Sequence, residues 1–302
     1  MNVAIIGAGF MGSMHASIID ALDDVTLLGI CGKTPERASA VAHEKGIKCY
    51  ESVEMLLGDT SVDIVDICSP TNTHAQLAVM AMNAGKHVIV EFPVCETEDE
   101  LERMLSAQKA TNTICAAAYY SRYQAQLSYL FNSLKQKDIG EINDIYISRR
   151  SQDYFASADI VNNLMSQDID FIVRLLGIPK QIMHSNTNQD YALFIFEYEK
   201  TKVIIEGATN MHRGFPFTIK ATASGTKGSI DFSWRFTDKP EYDYFINLDE
   251  KTETLQIPDY DPYEFELQTI LKGMRVSKMD SMSTIESVAE SAKLAFRCRE
   301  MI

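Results

Sequence analysis

Residues 7–12 of the chain read GAGFMG, directly after the apolar run Val3 to Ile6 and before a segment with a helical pattern, Ser13 to Leu22. Three glycines spaced G-x-G-x-x-G between a strand and a helix are typical of the turn that presents backbone N–H groups and a helix N-terminus to a dinucleotide pyrophosphate. Such turns also occur for structural reasons alone, but the position after a β-branched run favours nucleotide binding. The expected contact residues are Gly7, Gly9, Phe10, Met11 and Gly12.

Composition bounds the class of protein. A length of 302 residues with 46% hydrophobic residues fits two domains of roughly 150 residues each. The net charge of -14 argues against binding to nucleic acid or to an anionic membrane, since both need a basic face. The sequence shows neither a signal peptide nor an apolar run of about 18 residues. We therefore expect a cytoplasmic protein with a small-molecule substrate and no nucleic-acid or membrane partner.

The cysteines show no C-x-x-C pairing, and several lie in apolar runs that resemble strands. This pattern is typical of reduced, buried thiols. We expect neither a disulfide framework nor a metal site.

Residues 1–118 alternate between short β-branched runs and helical patterns, which predicts a parallel sheet covered on both faces. We interpret this half as an α/β Rossmann domain with a doubly wound parallel sheet that binds NAD(P). Its predicted strands are Val3 to Ile6, Val25 to Cys31, Ile64 to Ser69, His87 to Glu91 and Ile114 to Ala117. Its predicted helices cover about 13–22, 35–44, 52–57, 73–84 and 97–110.

Residues 119–302 have a different pattern, which predicts an α+β domain for substrate binding and oligomerisation. Helices are expected at about 122–136, 160–176, 262–276 and 283–300, and strands at 141–150, 191–198, 202–209, 215–223, 228–232, 244–248 and 253–257. The pair 191–198 and 202–209 reads as an antiparallel hairpin. A large open antiparallel sheet with helices on one face leaves its other face to be covered, so we expect a homodimer or homotetramer through that face.

The end of the second predicted strand bears on the choice of cofactor. An acidic residue here selects NAD by bonding the ribose 2′-hydroxyl, but this chain has Gly32. Lys33, Thr34 and Arg37 could instead bind a 2′-phosphate, so NADP(H) is favoured over NAD(H). In the alternative interpretation Thr34 only caps the helix that begins at Pro35, with the two cations in solvent.

Two further loops follow predicted strands and are expected to border the cofactor, because ligands of such sheets bind at the carboxyl ends of the strands. The first contributes Ser69, Pro70, Thr71, Asn72 and His74, and the second contributes Glu91 and Phe92. His74 begins a predicted helix, where a histidine is as often structural as it is a ligand contact.

Four segments in order, GAGFMG, ICSPTNTH, AGKHVIVEFP and NNLMSQDIDFIVRLLG, resemble those of the glucose-fructose oxidoreductase, inositol dehydrogenase and MocA (Gfo/Idh/MocA) family. They span residues 7–177, and the predicted second half is similar to that family's substrate domain. The resemblance implies NAD(P)-dependent oxidation of a hydroxyl or reduction of a ketone, commonly on sugars and cyclitols, without a metal. It also implies a homo-oligomer.

The chain departs from the family at three positions. Phe92 replaces a lysine that helps to manage the proton of the reacting oxygen, a task that a phenyl ring cannot perform. On the helix, the family's aspartate and histidine become Asn163 and Gln167. Their amides form hydrogen bonds but do not exchange protons near neutral pH. Asp170 remains, and spacing in an α-helix would place it with Arg174 on the same face as the two amides.

Two explanations stay open. Catalysis persists with another proton source, for which Tyr154, Tyr120 and Asp168 are candidates and Asn163 and Gln167 supply hydrogen bonds. Alternatively, catalysis has been lost and the chain acts as an NADP or ligand sensor, or as a partner-binding protein.

Overall fold

The computed structural model describes residues 1–152, 159–188, 190–248, 251–258 and 260–302, except for the side chains of 186–188. Contacts between residues divide the chain into two compact units. The first comprises Met1–Tyr123 and Asp261–Ala289, and the second comprises Gln124–Tyr260 and Glu290–Ile302. Each unit has its own apolar core.

The first unit is built on a parallel sheet. Its strands are β1 (Asn2–Ile6), β2 (Thr26–Cys31), β3 (Lys48–Cys49), β4 (Ile64–Ile67), β5 (His87–Glu91) and β6 (Cys115–Ala118). The helices between them are α1 (Phe10–Asp20), α2 (Pro35–Lys45), α3 (Val53–Gly58), α4 (His74–Asn83) and α5 (Glu98–Thr111). The order β3-β2-β1-β4-β5-β6 reverses direction beside β1, so the carboxyl ends of β1 and β4 form a topological switch point.

The sequence accounts for these elements. β4 is buried at all of its residues and β5 at all but its first, which is why both read as mostly apolar runs. Thr97 caps α5 by accepting a hydrogen bond from the Glu100 N–H, as its S/T-x-x-E pattern predicts. The predicted doubly wound parallel sheet is therefore confirmed, while the short edge strand β3 was missed.

The second unit contains an eight-stranded sheet in the order β14-β13-β12-β11-β7-β10-β9-β8. The strands are β7 (Ile142–Gln152), β8 (Gln181–Asn188), β9 (Tyr191–Glu197), β10 (Lys202–Met211), β11 (Phe217–Gly225), β12 (Gly228–Phe236), β13 (Pro240–Leu248) and β14 (Lys251–Thr254). α6 (Ala125–Gln136) and α7 (Ser166–Leu176) contribute to the same apolar core as one face of this sheet. The β9–β10 hairpin is confirmed.

Three details of the second half differ from the sequence-based expectation. β7 and β10 pair in parallel, so the sheet is mixed and mostly antiparallel, and β8 was missed as an edge strand. The helix predicted over 262–276 forms as α8 (Pro262–Arg275), but its Leu267, Ile270 and Leu271 join the core of the first unit. The last helix, α9, covers Ile285–Glu300.

Five of the cysteines are buried as expected, whereas Cys49 is exposed on β3.

Within the residues that the structure describes, no helix combines the length and the apolar character needed to cross a membrane.

Candidate functional site

The glycine turn between β1 and α1 contains two closely packed glycines and one open one. A Cβ atom on Gly7, whose φ is 116°, would lie 2.5 Å from the Cys68 carbonyl oxygen. A Cβ on Gly12 would lie 1.9 Å from the Gly7 oxygen, so neither position accepts a side chain. A Cβ on Gly9 would meet nothing within 4 Å. Packing of the fold thus requires Gly7 and Gly12, whereas Gly9 leaves an uncovered stretch of backbone.

The N-terminus of α1 opens onto the same turn. Gly9 is the N-cap residue, no acidic side chain lies in the first turn, and the first backbone N–H groups of a helix have no acceptor within the helix. Such an end attracts anions through its N–H groups and the helix dipole. Phe10 is 81% exposed beside it. The turn has the geometry and charge needed to hold a pyrophosphate.

The end of β2 adds two exposed cations. Lys33 and Arg37 are both exposed, and neither forms an ion pair with any part of the chain that the structure describes. Thr34 is the N-cap of α2, but its side chain makes no capping hydrogen bond. A Cβ on Gly32 would lie 3.3 Å from Ala8, so close packing on the glycine turn is an additional reason for a glycine there.

The loop after β4 is internally bonded. Ser69 Oγ and Thr73 Oγ1 are 2.7 Å apart, residues 71–73 form a 3-10 turn, and Asn72 is exposed. His74 is buried, with Nε2 at 2.6 Å from the Ser69 oxygen and Nδ1 at 2.7 Å from the Pro93 oxygen. Both ring nitrogens face backbone oxygens, so the geometry favours the structural interpretation of His74 over a direct ligand contact.

Glu91 and Phe92 follow β5. Glu91 Oε2 accepts a hydrogen bond of 3.0 Å from the Phe92 N–H, and Glu91 Oε1 lies 2.9 Å from His15 Nε2. The Phe92 ring packs edge-on against Tyr119, with 5.0 Å between ring centroids. Glu91 is therefore held from two sides at the carboxyl edge of the sheet.

His15 and Asp66 are the residues that the sequence analysis missed. His15 Nδ1 lies 2.8 Å from Asp66 Oδ2, and both side chains are fully buried. Burial by itself lowers the pKa of His15, but the neighbouring Cys68 and Asp66 groups raise it, and the net pKa lies well above the ordinary 6.5. The signal in the sequence was a carboxylate inside the otherwise apolar strand IVDI, since a buried charge needs a partner.

A second buried acid, Glu266 on α8, lies in the same unit. It is 1% exposed, and its Oε1 has no hydrogen-bond partner among the described residues. Burial, and then the charge of Glu91, raise the pKa of Glu266 well above 4.5. Burial therefore favours the neutral form of Glu266, whereas the groups beside His15 favour its charged form.

In the second unit, the helix predicted over 160–176 begins as a π-helix over Val161–Met165 and continues as α7. The regular α-helical spacing assumed for Asn163 and Gln167 does not hold across this segment, because a π turn is wider. Gln167 is 5% exposed, and its Oε1 has no hydrogen-bond partner within the described residues. Asn163 is half-buried.

Asp168 does not have the surroundings of a free acid or base. Its two carboxylate oxygens accept hydrogen bonds of 2.9 Å and 2.7 Å from Arg149, and both residues are buried. In this arrangement Asp168 is the counter-ion of the buried Arg149 guanidinium. Its role as a proton source stays a prediction.

The remaining candidates fall on different parts of the chain. Asp170 accepts a hydrogen bond of 2.8 Å from Ser291, and Arg174 Nε lies 3.3 Å from Asp170 Oδ2. Tyr120 is stacked on Tyr263 of α8, with ring centroids 4.8 Å apart. Tyr154 lies outside the described residues.

Comparison with known proteins agrees with this architecture. Residues 1–119 match the sequence model of a family described as an oxidoreductase family with an NAD-binding Rossmann fold. The myo-inositol 2-dehydrogenase of Thermotoga maritima is 27% identical over 59% of this chain and 55% of that enzyme. The chain thus spans about half the length of several curated relatives that it matches.

Two longer matches cover both halves. The scyllo-inositol 2-dehydrogenase (NAD(+)) of Bacillus subtilis is 25% identical over 95% of this chain and 90% of that enzyme. The structure of UDP-N-acetylglucosamine 3-dehydrogenase GnnA from Acidithiobacillus ferrooxidans superimposes with a TM-score of 0.86 at 20% identity. It covers 100% of this chain and 97% of that one, which shows a shared fold.

Proposed function

Because the chain belongs to the Gfo/Idh/MocA oxidoreductase family, we propose that it transfers a hydride between a nicotinamide dinucleotide and a hydroxyl or carbonyl carbon of a small sugar-like or cyclitol-like molecule. The observation that carries the proposal is the contrast among the three glycines. Gly7 and Gly12 are required by packing, but nothing in the fold requires Gly9. A glycine with open space above it is what the close approach of a pyrophosphate needs.

We propose NADP(H) over NAD(H) as the cofactor. The support is the pair of exposed cations, Lys33 and Arg37, next to a glycine where NAD-selective folds place an acid. A 2′-phosphate would neutralise both cations. Dissociation constants for the two cofactors, measured by fluorescence of the reduced nicotinamide, test this choice, and tighter binding of NADH would contradict it.

The proposed substrate class is supported by relatives named for inositols and for UDP-N-acetylglucosamine. In this chain, Gln167 offers a buried amide oxygen without a partner among the described residues. Such an atom costs free energy unless it accepts a hydrogen bond, and a substrate hydroxyl would supply one.

The first experiment separates cofactor binding from folding. Gly9→Ala adds a methyl group that meets no atom of the protein, so the melting temperature should stay within about 2 °C while the cofactor dissociation constant rises at least about tenfold. Gly58→Ala, which also meets nothing within 4 Å, is the matched control and should leave both unchanged. Unaltered cofactor binding in Gly9→Ala would refute the assignment of the turn.

The second experiment tests turnover. The full chain with NADP⁺ or NAD⁺ is screened against myo-inositol, scyllo-inositol and UDP-N-acetylglucosamine, and the reduced cofactors against the corresponding ketones. A change in absorbance at 340 nm, which reports reduction or oxidation of the cofactor, would support the proposed reaction. The second candidate function, a sensor without catalysis, is supported by Phe92, Gln167 and the ion pair of Asp168. It predicts cofactor binding without turnover.

We also propose a homodimer or homotetramer through the sheet of the second unit. The sheet face that includes Tyr146, Ser148 and Arg150 contains a groove of about 900 Å³. Both cations and acids line it, including Lys220 and Asp231, so a second copy could match its charges. Light scattering at micromolar concentration tests this, and a monomer would contradict it.

A further inference from the structure

His15 and Glu91 form a buried ion pair in the first unit. Both His15 nitrogens face carboxylate oxygens, Nδ1 at 2.8 Å from Asp66 and Nε2 at 2.9 Å from Glu91. A neutral imidazole carries one N–H and would place a lone pair against one of these carboxylates. The two carboxylates therefore favour an imidazolium, with Nδ1 hydrogen-bonded to Asp66 and Nε2 at 2.9 Å from Glu91 Oε1 but outside hydrogen-bond geometry.

The groups around this pair come from every element packed on it. β4 contributes Asp66, the residue after β4 is Cys68, α8 contributes Tyr263 and Glu266, and the segment after β6 contributes Arg122, whose charge acts on Glu266. Burial raises the pKa of Glu266 and of the Cys68 thiol, which favours their neutral forms beside the ion pairs of His15.

The Glu91 side chain is more exposed than those of His15 and Asp66. The side chains of His15 and Asp66 are fully buried, whereas that of Glu91 is 12% exposed. Glu91 also ends β5, at the sheet edge where ligands of doubly wound folds bind. Phe92 beside it cannot carry a proton, and Asp168 is fixed to Arg149. Glu91 thus places a partly exposed carboxylate at this edge of the sheet.

On the basis of the proposed function, we propose that Glu91 is the acid–base residue of the reaction and that His15 is the positioning residue that supplies its proton. In the direction of reduction, the Glu91 carboxyl O–H breaks and the new O–H forms on the substrate oxygen, while the reduced nicotinamide supplies the hydride and is itself oxidised. The proton on Glu91 comes from His15 Nε2. His15 is left neutral, with Nδ1–H donated to Asp66, until a solvent proton restores the pair.

The first test reads the protonation state and needs no substrate. The full chain is labelled with ¹⁵N-histidine, and the ring nitrogens are followed by NMR at pH 6–9 in wild type and Glu91→Gln. Glu91 contacts one histidine among the described residues, so the signal that changes in Glu91→Gln reports His15. We expect an imidazolium at pH 7 that titrates at lower pH in the variant. A neutral ring at pH 7, or no changed signal, would overturn the inference.

The second test uses whichever substrate the wild type turns over. Glu91→Gln keeps the size of the side chain and should lower kcat about 100-fold or more, with the cofactor dissociation constant within about twofold of wild type. Glu91→Asp keeps a carboxylate and should recover part of the rate with a shifted pH profile. Glu44→Gln, an exposed glutamate of the same unit, is the control. A kcat for Glu91→Gln within about threefold of wild type would overturn the inference.

The two tests separate this inference from the function on which it rests. An imidazolium at His15 in a protein without turnover contradicts the proposed function. Turnover that persists in Glu91→Gln contradicts only the role of Glu91. Neither test uses a variant of His15, so the result does not depend on whether such a variant folds.

Discussion

Substitution of the buried acid Glu266 by glutamine should make the protein more stable, and the gain should grow with pH. Glu266 is 1% exposed on α8, accepts a backbone hydrogen bond from Tyr119, and has one oxygen without a partner among the described residues. Burial, followed by the charge of Glu91, raises its pKa in the folded state well above 4.5. Glutamine has the same shape, can accept the same hydrogen bond and never ionises.

The magnitude follows from proton linkage. Between the unfolded pKa near 4.5 and the higher folded pKa, the native state holds a proton that the unfolded state has lost. Wild-type stability therefore falls with rising pH by about 1.4 kcal/mol per pH unit from this group alone. As the pH rises from 5 toward the folded pKa, the advantage of Glu266→Gln should therefore grow, to about 1–3 kcal/mol, which corresponds to a shift of several degrees in melting temperature for a folding unit of this size.

The assay is a thermal melt of wild type, Glu266→Gln and Glu264→Gln in matched buffers at pH 5, 6 and 7. Glu264 lies on the same helix, is exposed, and accepts a hydrogen bond of 2.9 Å from Gln268. Its variant should differ from wild type by an amount that does not change with pH. A constant difference between Glu266→Gln and wild type across this range would refute the reasoning, because it would mean that Glu266 takes up no proton on folding.

Three further outcomes are expected. Asp168→Asn should lower the free energy of unfolding by about 3–5 kcal/mol in chemical denaturation, because it leaves Arg149 buried without a counter-charge. Replacement of both partners, Asp168→Leu with Arg149→Met, should recover much of this loss. Gly12→Ala should lower the melting temperature and abolish cofactor binding together, since its Cβ would lie 1.9 Å from a backbone oxygen of the turn; a stable variant that still binds would contradict this packing. Lys33→Ala with Arg37→Ala should weaken NADPH binding about tenfold or more and leave NADH binding within about twofold, and equal loss for both cofactors would count against the 2′-phosphate clamp.

The second half shows where sequence patterns stop being informative. The hairpin of β9 and β10 was predictable because its turn and its alternating residues are adjacent in the chain. The parallel pairing of β7 with β10 joins segments separated by α7 and by strands β8 and β9, and nothing in either strand's own residues specifies that neighbour. For the same reason, the assignment of α8 to the first unit could not be derived from its amphipathic pattern, which shows only that one face is buried.

The candidate site also has features that the sequence predicts and features that only the tertiary structure determines. The glycine turn, the helix that follows it and the cations after β2 are contiguous in sequence, and short-range sterics and charge determine what they form, so the sequence by itself indicated a dinucleotide fold. Only the tertiary structure decided the state of the titrating groups. His15 meets Asp66 and Glu91 across separations of many residues, and Asp168 is bound by Arg149. The protonation of a side chain depends on burial and on the charges within a few ångströms, and the fold, not the order of residues, sets both.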